Sequence, residues 1–121
     1  MREAVRDLDR LLHIKESMDN IQEFVNNKTF DEFVSDKLLF FAVVKNVEII
    51  GEAAYMLTKE FCAAHPTTPW KDIIGMRHVL VHGYYTTSKD FIWATVQQDI
   101  PVLRLQIEAY IAEEKIKRNI E

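Results

Sequence analysis

The segment Arg77-His78-Val79-Leu80-Val81-His82-Gly83-Tyr84-Tyr85 sets two histidines and an arginine in a run that otherwise reads as buried helix. Ionisable groups are costly in such a place unless they are paired or used. Arg77 brings a permanent charge and a planar fork that suits phosphate. Each histidine brings a proton that moves near neutral pH. Together these groups suffice for phosphodiester chemistry without a metal.

On a helical wheel at about 100° per residue, Ile73, Met76, Leu80 and Tyr84 form a core stripe. His78 and His82 fall nearly opposite, one turn apart, flanked by Val79 on one side and by Ile74 and Val81 on the other. A helix that is apolar on both sides is buried on both sides. In a chain of 121 residues the second cover is expected to be another copy of the protein. Arg77 and His82 lie about 140° apart around the helix, so a two-fold axis would be the simplest way to gather both into one cleft.

Other readings of the same residues stand beside this one. A buried histidine also serves as a hydrogen-bonded structural residue. Arg77 could form a buried ion pair with Glu48 or Glu52, which lie one turn apart in the sequence. In a catalytic reading one of these carboxylates, Glu52 ahead of Glu48, would orient Arg77. His78-x-x-x-His82 has metal-ligand spacing, but the accompanying Glu of the His-Glu-x-x-His motif and a third ligand are missing. No metal and no cofactor are expected. Tyr84 and Tyr85 read otherwise as core or interface aromatics. Lys45, Lys71 and Lys89 are candidates for a wider basic rim.

The elements that must position these residues all read as helices. Residues 3–25 carry Val5, Leu8, Leu12, Met18, Ile21 and Val25 at three-to-four spacing. Thr29-Phe30-Asp31-Glu32 is a capping box for a short helix through Val34. Ser35-Asp36 caps a long central helix expected over 37–64, with apolar residues on several faces. His65-Pro66-Thr67-Thr68-Pro69 is a connector, with Thr68 as N-cap and Pro69 as first residue of the helix that carries Arg77. Gly83 ends or bends that helix, and Thr87-x-x-Asp90 opens another through about residue 99. Pro101 either kinks it or starts the last helix, which ends near Lys117. The expectation is an all-α, up-and-down bundle of four main helices plus short ones, formed as a single domain over 1–121.

The totals narrow the function. Hydrophobic residues make up 48% and charged residues 28%, as in an ordinary globular protein. The single Cys62 cannot form an internal disulfide; its neighbours suggest a packed thiol, and a reducing, cytoplasmic setting is expected. The first residues carry no apolar run of a signal peptide, and Lys45, Asn46, Glu48 and Glu52 interrupt the most apolar stretch, so no membrane span is expected. The net charge of −4 argues against a general nucleic-acid binder; a nucleic acid would need a local basic cleft.

Arg77, His78 and His82 resemble the signature of the HEPN superfamily, and Arg77, His82 and Tyr84 match the Arg-x4-His-x-Tyr motif of HepT-like ribonuclease toxins. Ile50-Gly51-Glu52-Ala53, Pro69-Trp70, Gly75-Met76-Arg77 and Asp99-Ile100-Pro101 with Leu103 are similar to that family as well, so the likeness spans about half the chain. The resemblance implies an endoribonuclease toxin of a type VII toxin–antitoxin pair, acting as a homodimer on RNA, with tRNA or mRNA as target. His82 would be the acid–base group and Arg77 the phosphate holder, with His78, Tyr84 and Tyr85 supporting the RNA. The implied partner is an MntA-like nucleotidyltransferase antitoxin that silences the toxin by adding AMP to Tyr84. His78 stands where Asn or Asp is usual in the family. The alternative is a non-catalytic HEPN module that binds a nucleotide or a nucleotidyltransferase partner.

Overall fold

The computed structural model describes residues 2–81 and 89–120, with side chains over 6–77 and 89–119. Every element among them is helical: α1 (Arg2–Val25), α2 (Phe30–Ser35), α3 (Lys37–Tyr55), α4 (Lys59–Ala64), α5 (Trp70–Val81), α6 (Lys89–Ala94) and α7 (Ile100–Ile120), with a π-helical turn, Thr95–Asp99, joining the last two. Four long helices and three short ones form the expected all-α bundle.

Apolar periodicity decides what packs on what. On α1 the buried stripe is Leu8, Leu11, Ile14, Met18 and Ile21, all within 3% of full burial. Leu12, expected in that stripe, stands at its edge and is 37% exposed. A helix presents one face of about three residues per two turns to its neighbour, and Leu11 and Ile14 hold its centre. α3 is central, as its apolar faces require: it packs against α1, α5 and α2, while α7 covers α1. Asp7 meets Thr58 and Asn20 meets Asn46, so α1 and α3 run antiparallel. Phe33 of α2 is fully buried against Phe40 and Trp93, with ring centroids 5.4 and 5.1 Å away, and so ties α2 to both α3 and α6.

The caps follow the sequence in two places. Thr29 accepts from Glu32 N–H while its own N–H donates to the Glu32 carboxylate, the reciprocal capping box. Asp36 caps α3 by accepting from Leu39 N–H.

Three boundaries differ from expectation. The central helix does not reach Ala64; it stops at Tyr55, and Thr58 caps a separate α4 by accepting from Phe61 N–H. The cause lies in α1. The buried Asp7 carboxylate takes both the N–H and the hydroxyl of Thr58, at 2.9 and 2.8 Å, which holds the chain in a turn. Thr68 does not spend its hydroxyl on a cap. It donates to Gln106 Oε1 at 2.8 Å and pairs with the Tyr110 hydroxyl at 2.6 Å, pinning the start of α5 to α7. α5 accordingly begins at Trp70, whose indole N–H donates to His65 C=O. Pro101 stands in the first turn of α7, which begins at Ile100, so of the two expectations for it the start of the last helix is the one found. Pro101 lacks the N–H that would reach Gln97, and the chain passes this gap with a π-turn in which Ile100 N–H donates to Thr95 C=O. α7 then runs past Lys117 to Ile120. The Gly83 helix end and the Thr87 capping box lie outside the described residues.

Cys62 is half-buried, and burial together with the nearby Asp7 charge pushes its thiol up, in keeping with a packed cysteine. Among the described residues no helix is long and apolar enough to cross a membrane.

One electrostatic link between α1 and α7 carries a pH prediction. Hydrogen bonds from Arg104, at 2.7 Å, and from Lys15 hold the exposed Asp19 carboxyl below the ordinary value of 3.8. A carboxyl with a depressed folded pKa stabilises the fold above its unfolded value, and that stabilisation is lost as pH falls through the folded one. The urea midpoints of wild type and Asp19→Asn are therefore expected to differ at neutral pH and to converge below about pH 3.8. A gap that stays constant with pH would mean that Asp19 acts by packing rather than by charge.

Candidate active site

Arg77 lies on the last turns of α5, where α5 crosses α3. The crossing is close because α3 has a glycine there. A Cβ placed on Gly51 would sit 3.1 Å from the Ile73 carbonyl oxygen and 3.2 Å from both the backbone nitrogen and the Cβ of Arg77. Those contacts are tighter than most Cβ atoms make, so glycine lets the two backbones approach this far without either giving way.

The residues next along α3 meet the guanidinium. Arg77 Nη1 donates to Glu52 Oε1 at 3.2 Å. The guanidinium carbon also stands 3.8 Å from the centre of the Tyr55 ring. Glu52 and Tyr55 are three residues apart, hence neighbours on one helical face. An arginine so held presents its fork in one orientation, because the ring fixes its plane and the carboxylate fixes its rotation.

Burial separates a structural role from a functional one. The Arg77 side chain is 18% exposed, whereas those of Glu52 and Tyr55 are more than half exposed. An ion pair with so exposed a carboxylate contributes at most about 1 kcal/mol. Against that, Arg77 Nε is buried and has no hydrogen-bond partner among the described residues. A buried donor left unpaired is costly. The fold therefore gains little from this arginine, and the arrangement makes physical sense as an anion holder.

Of the two carboxylates considered for orienting Arg77, the structure brings Glu52 to it and not Glu48, which pairs with Lys45 at 2.9 Å. Of the candidate rim lysines, Lys45 is engaged in that pair and Lys71 is exposed near the start of α5. Lys89 reaches the Val34 carbonyl and the Phe40 ring, about 18 Å along α3 from Glu52, and so belongs to another part of the surface. The backbone of His78 lies in α5; its side chain, and His82, Tyr84 and Tyr85 entirely, lie outside the described residues. Among the described residues no group of three or more His, Cys, Asp or Glu side chains could hold a metal ion.

Sequence reasoning missed Tyr55. In the sequence it reads only as part of an apolar helix, although its position three residues after Glu52 is a usable signal. Gly51 stands in a motif of the sequence, and the crossing it permits is visible only in the fold.

The family described as "Ribonuclease HepT-like" matches residues 14–110. A protein of Caldanaerobacter subterraneus provisionally named an RNase is 40% identical over 105 residues, covering 87% of this chain and 94% of the relative. One of Thermococcus cleftensis, provisionally named ribonuclease HepT, is 38% identical over 100 residues, covering 83% and 91%. One of Methanocaldococcus jannaschii, provisionally named an RNase, is 33% identical over 104 residues, covering 85% and 95%. No solved structure matches the chain significantly.

Proposed function

Because this chain belongs to the HepT-like ribonuclease family, we propose that it is a metal-independent endoribonuclease toxin that works as a homodimer. The observation that carries the reading is Arg77: fixed by Glu52 and Tyr55, little used by the fold, and five positions before His82 in the sequence.

The chemistry follows from the residue types. His82 removes the proton from a ribose 2′-OH. The 2′ oxygen attacks the adjacent phosphorus and the bond from phosphorus to the 5′ oxygen breaks. The second His82 of the dimer gives a proton to that leaving oxygen. The products are a 2′,3′-cyclic phosphate and a 5′-hydroxyl. Arg77 holds the phosphate and offsets the charge that grows on its oxygens. DNA lacks the 2′-OH and is not cut. His78, Tyr84 and Tyr85 support RNA binding, with tRNA as the foremost target. A nucleotidyltransferase antitoxin silences the enzyme by adding AMP to Tyr84. The adduct sets bulk and negative charge where the substrate phosphate must bind.

The test is cleavage of bulk tRNA and of a labelled RNA in EDTA by protein whose Tyr84 is shown by mass to be unmodified, beside His82→Ala. Cleavage that survives EDTA, leaves cyclic phosphate ends and is lost in His82→Ala is the expected result. Loss of activity in EDTA, or DNA cut as fast as RNA, would overturn the mechanism. An unmodified protein that cuts no RNA would instead be a binding module.

A further inference from the structure

Glu52 also lines an open pocket of about 240 Å³ between α1 and α3, together with Arg10, His13, Ile49, Ala53 and Met56. Among the described residues most cationic side chains form no ion pair, Arg10 and His13 among them. Arg10 is moreover half-buried, and its Nε is buried with no hydrogen-bond partner among the described residues. The carboxylate that lines the cavity, Glu52, has its charge offset by Arg77. Arg6, exposed one turn before Arg10, continues the basic stripe along α1.

We propose that the Arg10–His13 cavity is a second phosphate-binding subsite, which seats a backbone phosphate of the RNA strand beside the one held by Arg77. Arg10 supplies a fork for the phosphate oxygens and His13 a ring N–H. Ile49, Ala53 and Met56 give an apolar wall for the attached ribose. The subsite binds and does not react, and it gives an acidic protein the local basic track that RNA requires. It rests on the RNA-cleaving reading above.

The test uses the whole protein and an RNA oligonucleotide carrying 2′-O-methyl groups, which binds but cannot be cut. Its affinity is measured over a range of salt for wild type, Arg10→Gln, Arg10→Lys, His13→Gln and, as a control in the turn beyond the far end of α1, Lys28→Gln. A lost phosphate contact on a single strand lowers the slope of log K against log salt by about 0.7. The expected result is that loss in Arg10→Gln, recovery in Arg10→Lys, weaker binding in His13→Gln and no change in Lys28→Gln, with thermal unfolding showing every variant folded. If Arg10→Gln and His13→Gln bind like wild type while wild type cuts RNA, the subsite is wrong and the ribonuclease reading stands. If wild type neither binds nor cuts RNA, both are wrong. An Arg10→Lys variant as weak as Arg10→Gln would overturn an electrostatic role.

Discussion

Arg77→Ala is expected to lower the turnover of RNA by about 10²–10³-fold, the usual cost of removing one preorganised group from a developing negative charge. Stability should move far less. The lost ion pair with the exposed Glu52 and the lost stacking on Tyr55 are each worth no more than about 1 kcal/mol. Part of that is offset, because the buried Nε without a partner disappears with the side chain. Arg77→Lys tests what the fork contributes: it keeps a charge but cannot bind a phosphate in two-pronged fashion. It should recover substrate binding better than turnover. Glu52→Gln and Tyr55→Leu should both lower kcat with little change in KM, since each acts on the orientation of Arg77. Turnover measured beside thermal unfolding checks all four. An Arg77→Ala protein that cuts RNA at the wild-type rate, or that simply unfolds, would remove the basis for assigning the site to this arginine.

What the sequence makes legible here is what local physics decides. The helix starts at Phe30 and Lys37 are visible because Thr29 and Asp36 cap their own turns. The four long helices are visible because their apolar spacing is local. Features that depend on a distant partner are not. The end of α3 at Tyr55 is imposed by Asp7, 51 residues earlier, through bonds to Thr58. Thr68 has the chemistry of a cap, but Gln106 and Tyr110 on α7 compete for its hydroxyl and win. The site divides in the same way. Arg77 stands out as a charge inside an apolar helix, and Glu52 as one of two carboxylates within reach. Choosing between Glu52 and Glu48 requires the rotation of α3 against α5, which the crossing at Gly51 sets. Tyr55 and Arg10 carry no signal until that rotation is known, since one looks like core and the other like an ordinary surface charge.

Gly51→Ala should separate activity from stability more sharply than any change to a charged group. Alanine is favoured over glycine inside a helix by about 1 kcal/mol. The added methyl would lie 3.1–3.2 Å from the backbone of α5, at the Ile73 oxygen and the Arg77 nitrogen, and from Arg77 Cβ. None of these atoms is the free end of a flexible side chain, so α5 itself must retreat by a few tenths of an ångström. The propensity gain and the contact strain are of similar size, so the unfolding temperature should change little. Arg77 sits at the point of contact and must move with α5, away from the Glu52 and Tyr55 that orient it. Misplacing a catalytic group by about 1 Å can cost 10²-fold. A shift of a few tenths is expected to cost roughly tenfold in kcat, in line with that figure. Gly51→Val adds two more carbons at the crossing; it should lose about 1–3 kcal/mol of stability and nearly all activity. Both variants are read by thermal unfolding alongside RNA turnover. A Gly51→Ala enzyme with undiminished kcat would mean that the fit of α3 against α5 does not set the position of Arg77, and that Glu52 and Tyr55 follow the arginine rather than hold it.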